Sequence, residues 1–184
     1  MKLLKNDRLR LRTLEPEDID LLYAWENDTS LWAWGSTVSP YSRYTLKEYI
    51  AGSHQNIYEA RQLRLMIEDT ASGTGVGLID LYDFDPHHRK AATGILIDPS
   101  RQRQGVATDS LNLLAAYAFS FLKLHQLYAY IPADNGASRA LFLRCGFCVS
   151  GVLKDWISSG DGGFSDVLFA QRINKGNGSG SVSE

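Results

Sequence analysis

The sequence predicts an α/β fold of the α+β kind: one mixed, mostly antiparallel sheet with helices packed on both faces. Two stretches carry that reading. From Leu63 to Asp98 the chain is a series of alternating or apolar runs separated by short turns, the pattern of antiparallel strands. After Pro99 the texture changes to helix, strand, helix and strand, which adds layers on the faces of the sheet. With 184 residues, 44% hydrophobic and 22% charged, the chain has enough apolar material for one packed domain.

Taken in order, Met1 to Arg12 alternates imperfectly, with Leu9 and Leu11 set against Arg8, Arg10 and Arg12, and reads as a first strand. Pro16 suits the first turn of a helix, and Glu17, Asp18 and Asp20 complement its dipole. The stripe of Ile19, Leu22, Tyr23 and Glu26 carries that helix to about Asn27. The segment Asp28–Tyr44 has no period and reads as a loop. Thr45 and Glu48 have capping-box spacing, which predicts a second helix from Thr45 to about Tyr58.

Leu63, Leu65 and Ile67 alternate as a strand, the turn Asp69–Gly75 follows, and Val76–Asp83 and Ala91–Asp98 are further strands around a polar turn at His87-His88. Val106–Leu124 reads as a long helix, Gln126–Ile131 as a strand, and Asn135–Arg144 as a helix stopped by Gly146. Phe147–Leu153 and Phe164–Ile173 complete the sheet. A single domain is expected over 1–173, with the Gly/Ser-rich 174–184 as a flexible tail.

No apolar run reaches the roughly 20 residues of a membrane span, and the first residues lack the apolar stretch of a secretory signal. A formal charge of −2 gives no footprint for nucleic acid. A cytoplasmic protein with a small-molecule or protein partner is expected. Cys145 and Cys148 form a C-G-F-C pair at the end of a helix, whereas a redox pair belongs at a helix start, so both are read as reduced thiols. No metal site is expected.

The chemistry is concentrated in Ile95-Leu-Ile-Asp-Pro-Ser-Arg-Gln-Arg-Gln-Gly-Val-Ala-Thr108. A strand ends, a polar loop follows, and Gly105 and Ala107 open a long helix. The first amides of a helix have no intrahelical acceptors and sit at its positive end, which makes this loop a phosphate cradle. Its backbone from Gln102 through Arg103, Gln104, Gly105, Val106 and Ala107 to Thr108 supplies donors, and Arg101 and Arg103 add charge. It lacks the G-K-[ST] of a nucleotide P-loop and the G-x-G-x-x-G of a dinucleotide fold. The glycines at 73, 75 and 77 lead into a strand and read as a turn.

Gln102-x-x-Gly105-x-Ala107 resembles the acetyl-CoA pyrophosphate signature of the GCN5-related N-acetyltransferase (GNAT) family. Asp134-Asn135-x-x-Ser138, the ending Leu141-Phe-Leu-Arg-Cys-Gly-Phe147 and the opening R-L-R-x-L-x-P-E-D with Trp25-Glu-Asn-Asp28 strengthen the likeness, which is greatest to the spermidine/diamine and ribosomal-protein-alanine branches. The resemblance spans about residues 2–173. It implies a fourth strand splayed from a parallel fifth, with pantetheine pairing along the open backbone of Ile95, Leu96 and Ile97. It also implies that Asn135 contacts the pantetheine or helps hold the thioester end and that Ser138, Phe142 and Arg144 line the CoA side. Asn135 suits a helix N-cap equally well.

What this implies is acetyl transfer from acetyl-CoA to a primary amine, by direct attack in a ternary complex. Many relatives carry a tyrosine as proton donor where this chain has Phe142, so another group must serve or the thiolate leaves unassisted. Asp80 and Tyr82 share one face of the third strand run, and Tyr128 and Tyr130 one face of the fifth. Asp80, Tyr82 and Tyr130 are the candidate catalytic groups, with Asp80 as base or amine anchor. On the acceptor side, Trp25, Glu26, Asn27 and Trp34, together with Asp80, suit a cationic amine by charge and cation–π contact, which favours a diamine or polyamine. Protein N-terminal or lysine acetylation, and acyl-CoA binding without catalysis, remain the alternatives. A homodimer or larger homo-oligomer fits the resemblance.

Overall fold

The computed structural model describes residues 3–32, 37–53, 55–159 and 162–176. Its strands are β1 (Leu9–Arg12), β2 (Leu63–Asp69), β3 (Gly75–Asp85), β4 (Lys90–Ile97), β5 (Gln126–Pro132), β6 (Cys148–Ser158) and β7 (Phe164–Ile173). They form one sheet in the order β1-β2-β3-β4-β5-β7-β6. Every neighbouring pair is antiparallel except β4 and β5, whose connection crosses over through a helix as a parallel pair requires. The helices are α1 (Ile19–Glu26), α2 (Thr29–Trp32), α3 (Arg43–Gly52), α4 (Ile57–Ala60), α5 (Val106–Ser120) and α6 (Gly136–Arg144).

Alternation along the strands builds two different faces. Ile67, Leu65, Ile79, Leu81, Ile97 and Ala91 join Leu111, Leu114, Ala115 and Ala118 of α5 and Phe142 of α6 in the larger core. Met66 and Leu78 point the other way, where Leu22 and Trp25 of α1 and Leu46 and Ile50 of α3 cover them in a second core. Near that second core the buried carboxylates of Asp18 and Glu68 both pair with Arg12. Burial pushes the Asp18 carboxyl up, but Arg12 and the Glu15 amide outweigh it and leave its pKa below the usual range.

Several boundaries differ from expectation for local reasons. The first strand is confined to Leu9–Arg12, because Leu4 takes a left-handed φ of 62° and the chain turns there. The second helix begins at Arg43, with Ser42 rather than Thr45 as its cap, and the Ser42 side chain accepts the Thr45 amide. Glu48 accepts the Tyr44 hydroxyl instead of closing a capping box. The helix ends at Gly52 and a separate turn, α4, restarts behind Asn56, which caps Tyr58 and Glu59. α2 interrupts the expected loop. α5 stops at Ser120 before Lys123, which is left-handed at 57°. β6 continues to Ser158, past Leu153, by bulging between Leu153 and Ile157.

Both cysteines are free thiols: Cys145 is buried at the end of α6, and Cys148 is exposed. His87 and His88 sit in the exposed β3–β4 turn, where the Asp85 carboxylate accepts the His88 amide. Among the described residues no helix is long and apolar enough to cross a membrane. Asn174, at the start of the expected tail, still holds His125 and Leu124 carbonyls, and residues 177–184 lie outside the described residues.

Gly77 sets how closely β3 approaches β4, since a Cβ there would lie 2.3 Å from the Leu96 carbonyl oxygen. Gly77→Ala therefore forces two backbones apart. It is expected to cost about 2 kcal/mol, a fall in melting temperature of roughly 4–8 °C for this size, measurable by thermal unfolding.

Candidate active site

β4 and β5 pair only at Lys90–Gln126, Ala91–Leu127 and Ala92–Tyr128. Beyond that point β4 keeps its ladder with β3 as far as Ile97, while β5 keeps its ladder with β7 as far as Pro132. The two strands thus part, and the backbone of β4 from Thr93 to Ile97 faces an opening instead of a strand. Ile95, Leu96 and Ile97, expected to hold pantetheine, lie on this edge. The Ile97 carbonyl is partly engaged by the Gln102 side-chain amide at 3.3 Å.

The loop that follows is built by local bonds. Asp98 accepts the Ser100 amide and hydroxyl and also receives the Trp25 indole N–H at 2.9 Å, tying α1 to the end of β4. Arg103 and Gly105 are both left-handed, with φ of 58° and 81°. Gly105 is the N-cap of α5, so the helix begins at the mouth of the opening with its first amides directed outward. Gln104 closes the loop on the Ser100 carbonyl. Ala107 and Thr108 are half-buried, and the Val106 side chain belongs to the core, so only the backbone of Val106 is available to a ligand.

The charges around this loop are arranged differently from expectation. Arg101 turns away to pair with Asp69, whereas Arg103 stays exposed. Arg8, just ahead of β1, lies across the loop, donating to the Gln104 carbonyl at 3.0 Å and to the Asp109 carboxylate at 3.1 Å. Nothing in local sequence marks Arg8, which is 96 positions from Gln104.

Asn135 caps α6 by accepting the Ser138 amide at 2.9 Å, which occupies its side-chain oxygen. Ser138 is half-buried and Arg144 exposed. Phe142 is buried in the larger core, edge-on to Phe147 at 5.0 Å, where expectation had it lining the CoA side: its apolar ring is taken up by packing.

The opposite face of the sheet carries the polar groups. Arg64 of β2, Asp80 of β3 and Gly94 of β4 are cross-strand neighbours, as are Tyr82, Ala92, Tyr128 and Gln171, and Tyr130 and Phe169. Asp80 is gripped by both arms of Arg64, at 2.8 and 3.2 Å, and Arg64 also donates to Glu26 at 2.7 Å. The Arg64 guanidinium lies 5.5 Å from the Tyr49 ring centre. Burial alone would lower its pKa, yet Asp80 and its other neighbours raise it further, so Arg64 stays charged.

Two carboxylates against one guanidinium leave this triad with one net negative charge. Beside it, the Tyr82 ring lies over Gly94, and Tyr128, Tyr130 and Phe169 form an aromatic cluster with centroids 5.4 to 5.8 Å apart. Burial, then Asp83, push the Tyr82 and Tyr128 hydroxyls up to about 12, so both stay protonated near neutrality.

The remaining acceptor-side expectations divide. Glu26 joins the triad. Trp25, expected to touch substrate, is a core residue anchored to Asp98, since its indole N–H needs a buried acceptor. Asn27, also expected to touch substrate, clasps the Tyr41 backbone through both its oxygen and its nitrogen and so closes the segment after α1. Trp34 lies outside the described residues. The sequence reading missed Arg64, Tyr49 and Phe169, because the register of the sheet brings Arg64 beside Asp80 and Phe169 beside Tyr130, and the packing of α3 brings Tyr49 to Arg64.

A parallel pair that parts in an otherwise antiparallel sheet, with a helix starting at the mouth of the opening, is the arrangement that the resemblance carried by Gln102-x-x-Gly105-x-Ala107 implied. The model of the acetyltransferase (GNAT) domain matches residues 8–148, and the chain belongs to that family. It is 28% identical over 150 residues to the spermidine N(1)-acetyltransferase of Vibrio cholerae, covering 82% of this chain and 84% of the relative. The crystal structure of spermidine N-acetyltransferase from that organism in complex with CoA and spermine superposes with a TM-score of 0.81 at 27% identity, covering 91% of this chain and 96% of the other. A dodecameric structure of the V. cholerae enzyme gives a TM-score of 0.76 at 28% identity over 91% and 95% of the two chains.

This protein is therefore an N-acetyltransferase whose co-substrate is acetyl-CoA. The residues present fit that group: a left-handed glycine at the start of α5, outward amides, and an open strand edge leading inward. Gly105→Trp would fill the cradle and strain the backbone at φ +81°. It is expected to weaken CoA binding at least tenfold by calorimetry, and unchanged affinity would remove the loop from the site.

Proposed function

We propose that the protein acetylates a primary amine of a polyamine or diamine, by direct attack in a ternary complex. The observation that carries this reading is the Glu26–Arg64–Asp80 triad, negatively charged overall, beside the Tyr82, Tyr128, Tyr130 and Phe169 rings at the closed end of the splay. Carboxylates and aromatic faces together attract an alkylammonium. The spermidine N-acetyltransferase relatives support the same class of acceptor.

Acetyl-CoA supplies the activated acyl group. Gln102 to Thr108 hold its pyrophosphate, and the Ile95–Ile97 edge orients its pantetheine. Asp80, kept in place by Arg64, anchors the distal cation with the lone pairs that Arg64 leaves free. An amine must lose a proton before it attacks, since its pKa is near 10, and that proton passes to water beside Asp80. Tyr82 and Tyr130 border the amine, and Tyr82 acts as a neutral hydrogen-bonding group because its hydroxyl does not ionise in the working range. The free thiols and the need for acetyl-CoA support a cytoplasmic location.

A panel of spermidine, spermine, putrescine and a lysine-containing peptide, followed by CoA release, tests the acceptor. Turnover with the polyamines is expected, and Asp80→Asn should lower kcat/KM about tenfold or more while leaving CoA affinity within twofold. Turnover with the peptide alone would favour protein acetylation and withdraw the polyamine reading.

We further propose that the chain self-associates. On the edge strand β6 Val152 is 47% and Trp156 59% exposed, and Phe164 at the start of the neighbouring β7 is 65% exposed, apolar surface that association with a second copy would cover. Light scattering coupled to size exclusion is expected to give a mass above one chain, and Trp156→Glu should lower it. A monomer at all concentrations would overturn this.

A further inference from the structure

Thr93 is the first residue of β4 beyond the last residue paired with β5. Its cross-strand partner is Leu81, so its side chain belongs to the apolar face, and it is only 2% exposed. Its hydroxyl has no hydrogen-bond partner among the described residues. A buried hydroxyl left unpaired is destabilising, and valine would fill the same shape without that cost. The one place on β4 where the open edge closes therefore carries a donor that the folded chain itself does not use.

A ligand lying along the edge from the α5 loop inward runs from Ile97 to Thr93, about 13 Å of strand, and meets the closed apex there. With the pyrophosphate at the loop, the end that reaches the apex is the sulfur end. Phe142, packed against Phe147, has no proton to offer that atom.

We propose that Thr93 is a catalytic residue that donates its hydroxyl hydrogen bond to the sulfur of acetyl-CoA. As the amine nitrogen bonds to the acetyl carbon, the C–S bond breaks and its electron pair stays on sulfur. The proton from nitrogen goes to water, and the Thr93 hydroxyl keeps its own proton while its hydrogen bond strengthens with the charge growing on sulfur. This rests on the placement of acetyl-CoA along the open edge given above.

The test compares CoA with desulfo-CoA, which lacks only the sulfur, by calorimetry on wild type, Thr93→Val and Thr93→Ser. The titrations are run at pH 9.5, where a substantial share of the CoA thiol is ionised. Wild type and Thr93→Ser are expected to bind CoA about tenfold more tightly than desulfo-CoA, equivalent to about 1.4 kcal/mol. Thr93→Val should bind the two alike, with a ligand-free melting temperature at or above that of wild type. A general packing defect would weaken both ligands equally. A Thr93→Val protein that keeps the wild-type preference overturns the proposal, as does a wild type that binds both ligands without preference. A wild type that binds neither overturns the placement of acetyl-CoA as well.

Discussion

The parting of β4 from β5 after three paired residues is the constraint on which the rest of the structure depends. Interior strands normally satisfy both edges, because unpaired backbone amides and carbonyls are costly when water is excluded. Here each strand is held by its other neighbour: β4 by β3, with Gly77 letting the two backbones close up, and β5 by β7. Pro132 at the end of β5 and Pro99 just beyond β4 bring no amide to be paired. The result is an edge of β4 whose backbone groups face an opening instead of a strand.

The two faces of the sheet divide the work. On one, α5 and α6 press aliphatic side chains against β2 to β5 and make a rigid floor for the groove. On the other, α1 and α3 cover the sheet beside Met66 and Leu78 and leave the row from Arg64 to Phe169 for polar and aromatic groups. The Arg64 guanidinium makes this possible. Two half-buried carboxylates without a counter-charge would repel each other and resist desolvation, whereas Arg64, bidentate to Asp80 and singly bonded to Glu26, fixes both and leaves a single formal negative charge.

The loop before α5 is stabilised from outside its own sequence. Arg8 bonds it from the entrance of β1, Arg101 returns to Asp69 at the end of β2, and Trp25 of α1 bonds Asp98. Each of these contacts joins the cradle to an element formed much earlier in the chain. The charge in the loop is thus partly used to hold it in shape.

Local chemistry made much of this readable from the sequence. The apolar alternation of Leu63–Asp98, the glycine opening α5, the asparagine capping α6 and the glycine after Cys145 each act within a few residues, so spacing alone revealed the order of elements along the chain and the loop that opens α5. Boundaries failed where two caps competed, as at Ser42 and Thr45, since only the backbone path chooses between them. Trp25 and Asn27 looked like site residues by type and Phe142 by its place in the resembled motif, yet burial and hydrogen bonding use them to pack the domain. Arg8, Arg64 and the unpartnered hydroxyl of Thr93 were invisible for the opposite reason. Their meaning lies in register and in which strands separate, and those are settled by pairing between segments tens of residues apart. The sequence by itself determined the elements, the phosphate loop and the class of chemistry, while the tertiary structure decided which side chains are free to touch the reactants, because freedom from packing is a property of the assembled sheet.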